Sequence, residues 1–257
     1  MSFYKKNNKR AFILVMIALS FLVIVFSYFH YKGINSSKDP RVKEARELYE
    51  KYNEYAIQSD FDKVFDLLDS VEFIYTQVTH FSESFEIGVL YNNRSAAFLT
   101  MALYENNSSR YSELSKDSLL NLSLNSVLMS ISIYENWLKT YGKLNKEEIQ
   151  ELISDNYFKG LESYTDKQKE KFIQSRIQEI ETSQYETKRR LSVAFTNLGI
   201  INRHKEQYES AINNYEKAIE LWNQNLTAEN NLNILLGKPL KKRNLIQKLF
   251  PPKQDED

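Results

Sequence analysis

Residues 192–225 read SVAFTNLGIINRHKEQYESAINNYEKAIELWNQN, and they close a run that starts at Asp166 and meets neither proline nor glycine until Gly199. Glycine loosens a helix by its backbone freedom and proline breaks it by its missing N–H, so one long helix is predicted from 166 to about 205. Along it Ile173, Ile177, Ile180, Gln184, Thr187, Leu191, Ala194 and Leu198 succeed one another by alternating fours and threes. That is a heptad seam with a polar middle, which packs either on its own domain or on another chain. Gln184 and Thr187 weaken a dimer seam, so internal packing is the first expectation and a structural homo-oligomer assembled through 173–198 the alternative.

The same 34 residues resemble a tetratricopeptide repeat. In that family the first helix carries an aromatic with Leu-Gly three and four residues on, and the second carries alanine, an aromatic and alanine at fixed offsets. Phe195, Leu198, Gly199, Ala211, Tyr215 and Ala218 stand at those places. The resemblance implies that Gly199 and Ala211 let two helices approach closely while Phe195, Leu198 and Tyr215 fill the space between them. Asn202 and Asn223 depart from the family's second aromatic and closing proline, and Tyr208 partly replaces that aromatic. Residues 227–236 then read as a capping helix.

Weaker copies lie upstream. Residues near 45–78 resemble a degenerate repeat through Tyr52, Tyr55, Asp60, Phe61, Val64, Leu68 and Val71. Residues near 88–134 resemble another, with Tyr91, Arg94, Ser95 and Phe98 in its first helix and an insertion at 106–117 delaying the second. About three helical hairpins with two insertions are expected, which agrees with the three stacked units such arrays need to bury a continuous core.

Periodicity supports the same helices without the family. Val42, Ala45, Leu48, Tyr49, Tyr52, Tyr55 and Ala56 recur at threes and fours, the period of one helical face. After Ser59 and Asp60 the period resumes with Phe61, Val64, Leu67, Leu68, Val71, Ile74 and Tyr75. A second pair is expected at 90–104 and 119–141. Asp39 before Pro40 reads as a helix start, Asn145 with Glu148 as a capping box, and Thr165 as a further cap.

At the other end, residues 11–29 read AFILVMIALSFLVIVFSYF, uncharged and preceded by Lys5, Lys6, Lys9 and Arg10. About twenty helical residues span the ~30 Å apolar core of a bilayer, and the bulky border Tyr28, Phe29, Tyr31 is unlike a cleavage site. The organisation expected is a basic tail at 1–10, a transmembrane signal anchor at 11–30, a linker at 31–40, an all-α tetratricopeptide-like domain at 41–240 and a charged tail at 241–257. The denser N-terminal cations favour the tail inside and the domain extracytoplasmic, a single-pass arrangement of an inner (cytoplasmic) membrane. Six glycines and four prolines in 257 residues leave little room for tight turns, and 17 Tyr with 15 Phe supply apolar helix faces.

Charges balance at 34 against 34, which disfavours nucleic acid. Cysteine is absent, the three histidines are widely separated, and no phosphate-cradling or nucleophile-elbow motif occurs. No enzyme activity, cofactor or metal is therefore expected. The repeat resemblance implies instead a concave groove for a partner protein or peptide, lined at Asn93, Thr196, Asn197, Ile200 and Arg203, where an amide both donates and accepts and Arg203 pairs with a carboxylate. Thr196 and Ile200 stand where the family's carboxylate-clamp subtype carries other residues.

Overall fold

The computed structural model describes residues 38–104 and 106–243, and among them every regular element is a helix. Asp39 accepts from Arg41 N at 3.0 Å, and Pro40 opens a 3-10 turn, Pro40–Val42. The single helix expected over 42–56 is interrupted: α1 (Lys43–Tyr49) and α2 (Tyr52–Ile57) part at Glu50 and Lys51. Ser59 takes the left-handed conformation at φ 56° and Asp60 caps α3 (Phe61–Thr76), which folds back on α1.

Next come α4 (Phe85–Leu103) and α5 (Lys116–Tyr141), which pack over their whole shared length. Ser130 Oγ donates to Gly88 O and Ser123 Oγ to Ser95 O, each at 2.8 Å, so α5 runs antiparallel to α4. The close approach is possible because Gly88 has no side chain: an added Cβ would stand 2.5 Å from Tyr134 Cε1. The same contact recurs between α7 (Asp166–His204) and α8 (Tyr208–Leu221), where a Cβ on Gly199 would come closer still to Tyr215. Phe195, Leu198, Ala211, Tyr215 and Ala218 are all buried there. The final helix, α9 (Leu226–Leu235), buries Ala228 against α8 and leaves Ile234 exposed.

The second hairpin differs in detail from its sequence reading. Its closest backbone approach is at Gly88, whereas Tyr91 and Arg94 point sideways at α3, where Tyr91 Oη donates to Glu72 at 2.7 Å and Arg94 pairs with Asp69 and Glu72. The inserted loop folds back too. Asp62 of α3 receives Ser108 Oγ at 2.5 Å and Ser109 N at 2.9 Å, and those donors hold its carboxyl well below the usual range.

Between the second and third hairpins, α6 (Lys146–Tyr157) and the first half of α7 form an insertion. The capping box of Asn145 and Glu148 is present, as is one of Thr165 with Gln168. Ile173, Ile177 and Ile180 are at most 2% exposed and join Ile149, Ile153, Tyr157 and Trp137 in one core, each burial stabilising by roughly 1.5–3 kcal/mol. The polar middle of the seam also has an internal purpose. Gln184 Nε2 donates to Tyr141 O at 2.6 Å and Leu144 O at 2.7 Å, adding side-chain bonds to carbonyls at and just beyond the end of α5. The seam residues from 173 to 198 are thus packed inside this chain.

Among the described residues no helix is long and apolar enough to cross a membrane. The anchor expected at 11–30 lies outside the described residues, as do the basic tail and most of the charged tail.

Candidate functional site

Three half-buried stripes lie side by side, drawn from four helices. On α4 these are Val89, Asn93, Ala96 and Thr100; on α7 they are Arg190, Val193, Asn197, Ile200 and His204. Steps of three and four residues keep each set on one helical face. Arg46 and Tyr49 of α1, with Tyr52 of α2, line the other side. Two amide contacts hold the stripes in register: Asn93 Nδ2 donates to Tyr49 Oη at 2.6 Å, and Asn197 Nδ2 donates to Asn92 Oδ1 at 3.0 Å. The Tyr49 and Tyr52 rings stack at 5.6 Å with 7° between planes. Burial raises the pKa of both phenols, in Tyr49 against the opposing pull of Asn93 and Arg190. Each hydroxyl therefore stays protonated, and Tyr49, which accepts from Asn93, retains its own O–H to donate.

An ionic cluster closes one end of this surface. Arg176, 2% exposed, pairs with Glu86 at 2.5 Å and Glu179 at 3.3 Å and lies 4.0 Å over the Phe81 ring. Glu179 also receives Arg46 at 2.9 Å, tying α1 to α7. Burial alone would raise the Glu86 pKa, but the Arg176 charge and hydrogen bonds outweigh it and hold the carboxyl ionised. Beside it Asp39 grips Arg41, whose Nη1 donates to Lys159 O at 2.5 Å and fastens the chain's entry to the insertion. His80 lies against the Tyr157 ring, and burial followed by the charges of Arg41 and Arg176 lowers its pKa.

The residues expected to line a groove divide. Asn93, Asn197 and Ile200 lie on the striped surface, the two amides already bonded to neighbouring helices. Thr196 is a correction: it is 3% exposed, its hydroxyl donates to Ser192 O at 2.9 Å and accepts from Asn225 Nδ2 at 2.9 Å, so it binds α9 and not a partner. Arg203 turns towards α9, where Nη1 donates to Asn231 Oδ1 at 3.1 Å. Sequence reasoning passed over Arg46, Tyr49, Asn92 and Arg190. Counting back from Asn197 by fours and threes reaches Val193 and Arg190, a signal that the attention to the heptad seam concealed.

A separate concavity of about 390 Å³ opens at the C-terminal edge, between Asn223, Leu226 and Glu229 on one side and Lys241, Lys242 and Arg243 on the other. Lys241 is taken up by Glu229 and by Asn230, which receives its backbone N–H at 2.8 Å. Among the described residues no group of three acidic, histidine or cysteine side chains is placed to hold a metal. No family model matches the chain, and no curated protein or solved structure is similar enough to count as a relative.

Proposed function

We propose that this chain is a single-pass membrane-anchored scaffold, a tetratricopeptide-like solenoid whose first helices line a concave groove for a segment of a partner protein. The observation that carries the reading is the alignment of three half-buried stripes, on α1 with α2, on α4 and on α7, in register through Tyr49, Asn93, Asn92 and Asn197. Half-buried amides, phenols and small apolar side chains suit an extended peptide or a helix, because they offer hydrogen bonds and contact area together. The recurrence of the Gly-Tyr contact at Gly88 and Gly199 supports the repeat, and the apolar stretch at 11–29 supports the anchor. In this reading residues 1–10 stay in the cytoplasm and the helical domain works on the outer side of the inner membrane.

A photo-crosslinking amino acid placed at Val193 or Ile200 of the anchored protein should capture one defined partner, whereas the same group at Met129, 48% exposed on α5, should not. Identical products from all three positions, or products containing only this chain, would overturn the reading.

A further inference from the structure

The charges at the closed end of the groove do not balance. Arg46, Arg176 and Arg190 share two carboxylates, Glu86 and Glu179, and both carboxylates are engaged by Arg176, with Glu179 also serving Arg46. Arg190 is the cation left over. Among the described residues it makes no ion pair and no hydrogen bond; it stacks over Phe85 at 4.9 Å, and its Nη1 is closed off from water without an acceptor.

A guanidinium partly stripped of water and given no counter-charge is in a costly state. A carboxylate that reaches this half-buried guanidinium relieves that cost through charge-assisted N–H bonds. The Phe85 ring lies beneath the guanidinium.

We infer that Arg190 forms a subsite for an aspartate or glutamate side chain of the segment bound in the groove. The partner is thus a protein segment with an acidic residue at a fixed place. This rests on the groove reading above and makes it specific.

A phage-displayed library of random dodecapeptides, selected on the immobilised full chain, provides the probe. The expected result is a set of peptides sharing one Asp or Glu position. Its change to Asn or Gln weakens binding to the wild type at least tenfold, about 1.4 kcal/mol, and has no effect on binding to Arg190→Gln. Arg190→Lys, which keeps the charge and loses the planar fork, retains part of the preference. Each comparison is between two peptides on one variant, so a change in the variant's stability does not imitate it. Peptides with no shared acidic position, or an acidic position worth as much on Arg190→Gln, overturn the subsite and leave the groove standing. Failure of the wild-type chain to select any peptide overturns both.

Discussion

The hairpins α4–α5 and α7–α8 are built on one contact, a glycine beneath a tyrosine ring, and are set in opposite kinds of polar surroundings. Around Gly199 and Tyr215 the buried polar groups are neutral and, apart from the enclosed Tyr215 hydroxyl, hydrogen-bonded. Ser192 Oγ donates to Ala218 O at 2.5 Å, Asn225 Nδ2 donates to Ser192 Oγ at 2.8 Å, and Asn225 Oδ1 receives Ala228 N at 3.0 Å as the cap of α9. Two residues before Gly88, by contrast, Glu86 enters the Arg176, Glu179 and Arg46 cluster. A neutral network is indifferent to pH and salt. A buried ionic one is costly to break by halves, because the remaining charge has nowhere to go. The packing is therefore shared between the hairpins, and the response to solvent conditions is not.

The sharpest break of that comparison is Arg176→Met. It leaves Glu86 without its ion-pair partner and Glu179 with Arg46 alone, and the expected loss is about 3–5 kcal/mol in urea denaturation. Hydrogen exchange should place the loss in α4, α6 and the first half of α7 while α8 keeps its protection. Equal loss in both hairpins would show that the cluster supports the whole chain and not one part of it.

Next in size are Gly88→Ala and Gly199→Ala. Each new Cβ meets a ring that is at most 1% exposed, so each should cost about 1–3 kcal/mol by overpacking. Similar values would establish the two contacts as equivalent, and a neutral Gly88→Ala would break the equivalence.

The smallest effect is that of pH. The depressed pKa of His80 means that the unfolded chain binds the proton more readily, so His80 contributes stability that is fully present above the ordinary value of about 6.5 and is lost as pH falls below it. The facing groups are Arg41, Arg176, Asp39 and Tyr157. Glu86 and Asp39, held low, keep their contribution until the pH falls below the usual carboxylate range. His80→Gln should flatten the stability slope between about pH 7 and 5 in thermal melts. An unchanged slope would point to His204, whose pKa burial, Arg203 and Lys116 also lower, as the group that titrates.

Why one hairpin was legible in the sequence and the other was not follows from the same comparison. Gly199 and Tyr215 are separated by one short turn, so both partners of the contact fall within a single repeat length. Tyr134 is the partner of Gly88 across the folded loop that Asp62 holds, too far along the chain for a fixed-offset pattern to connect them. The caps at Asn145 and Thr165 and the extent of α7 were readable because they depend on neighbours in sequence. The break between α1 and α2 and the ionic cluster were not, since Arg46 with Glu179 and Arg176 with Glu86 are joined only by tertiary packing. Thr196 was misread for a related reason: its helical face was assigned without α9, which covers it.

The length of α7 has a consequence for how this chain can vary. Its first half is an inner wall of the insertion, with Ile173, Ile177 and Ile180 buried, and its last turns belong to the third hairpin, with Gly199 under Tyr215. No loop separates the two duties. Each residue of a helix turns the next by about 100°, so one residue gained or lost near Lys188 would swing Gly199 away from its ring or the isoleucines away from theirs. Length changes over generations should therefore gather in the 106–115 loop and be excluded from the middle of α7, between Arg176 and Gly199.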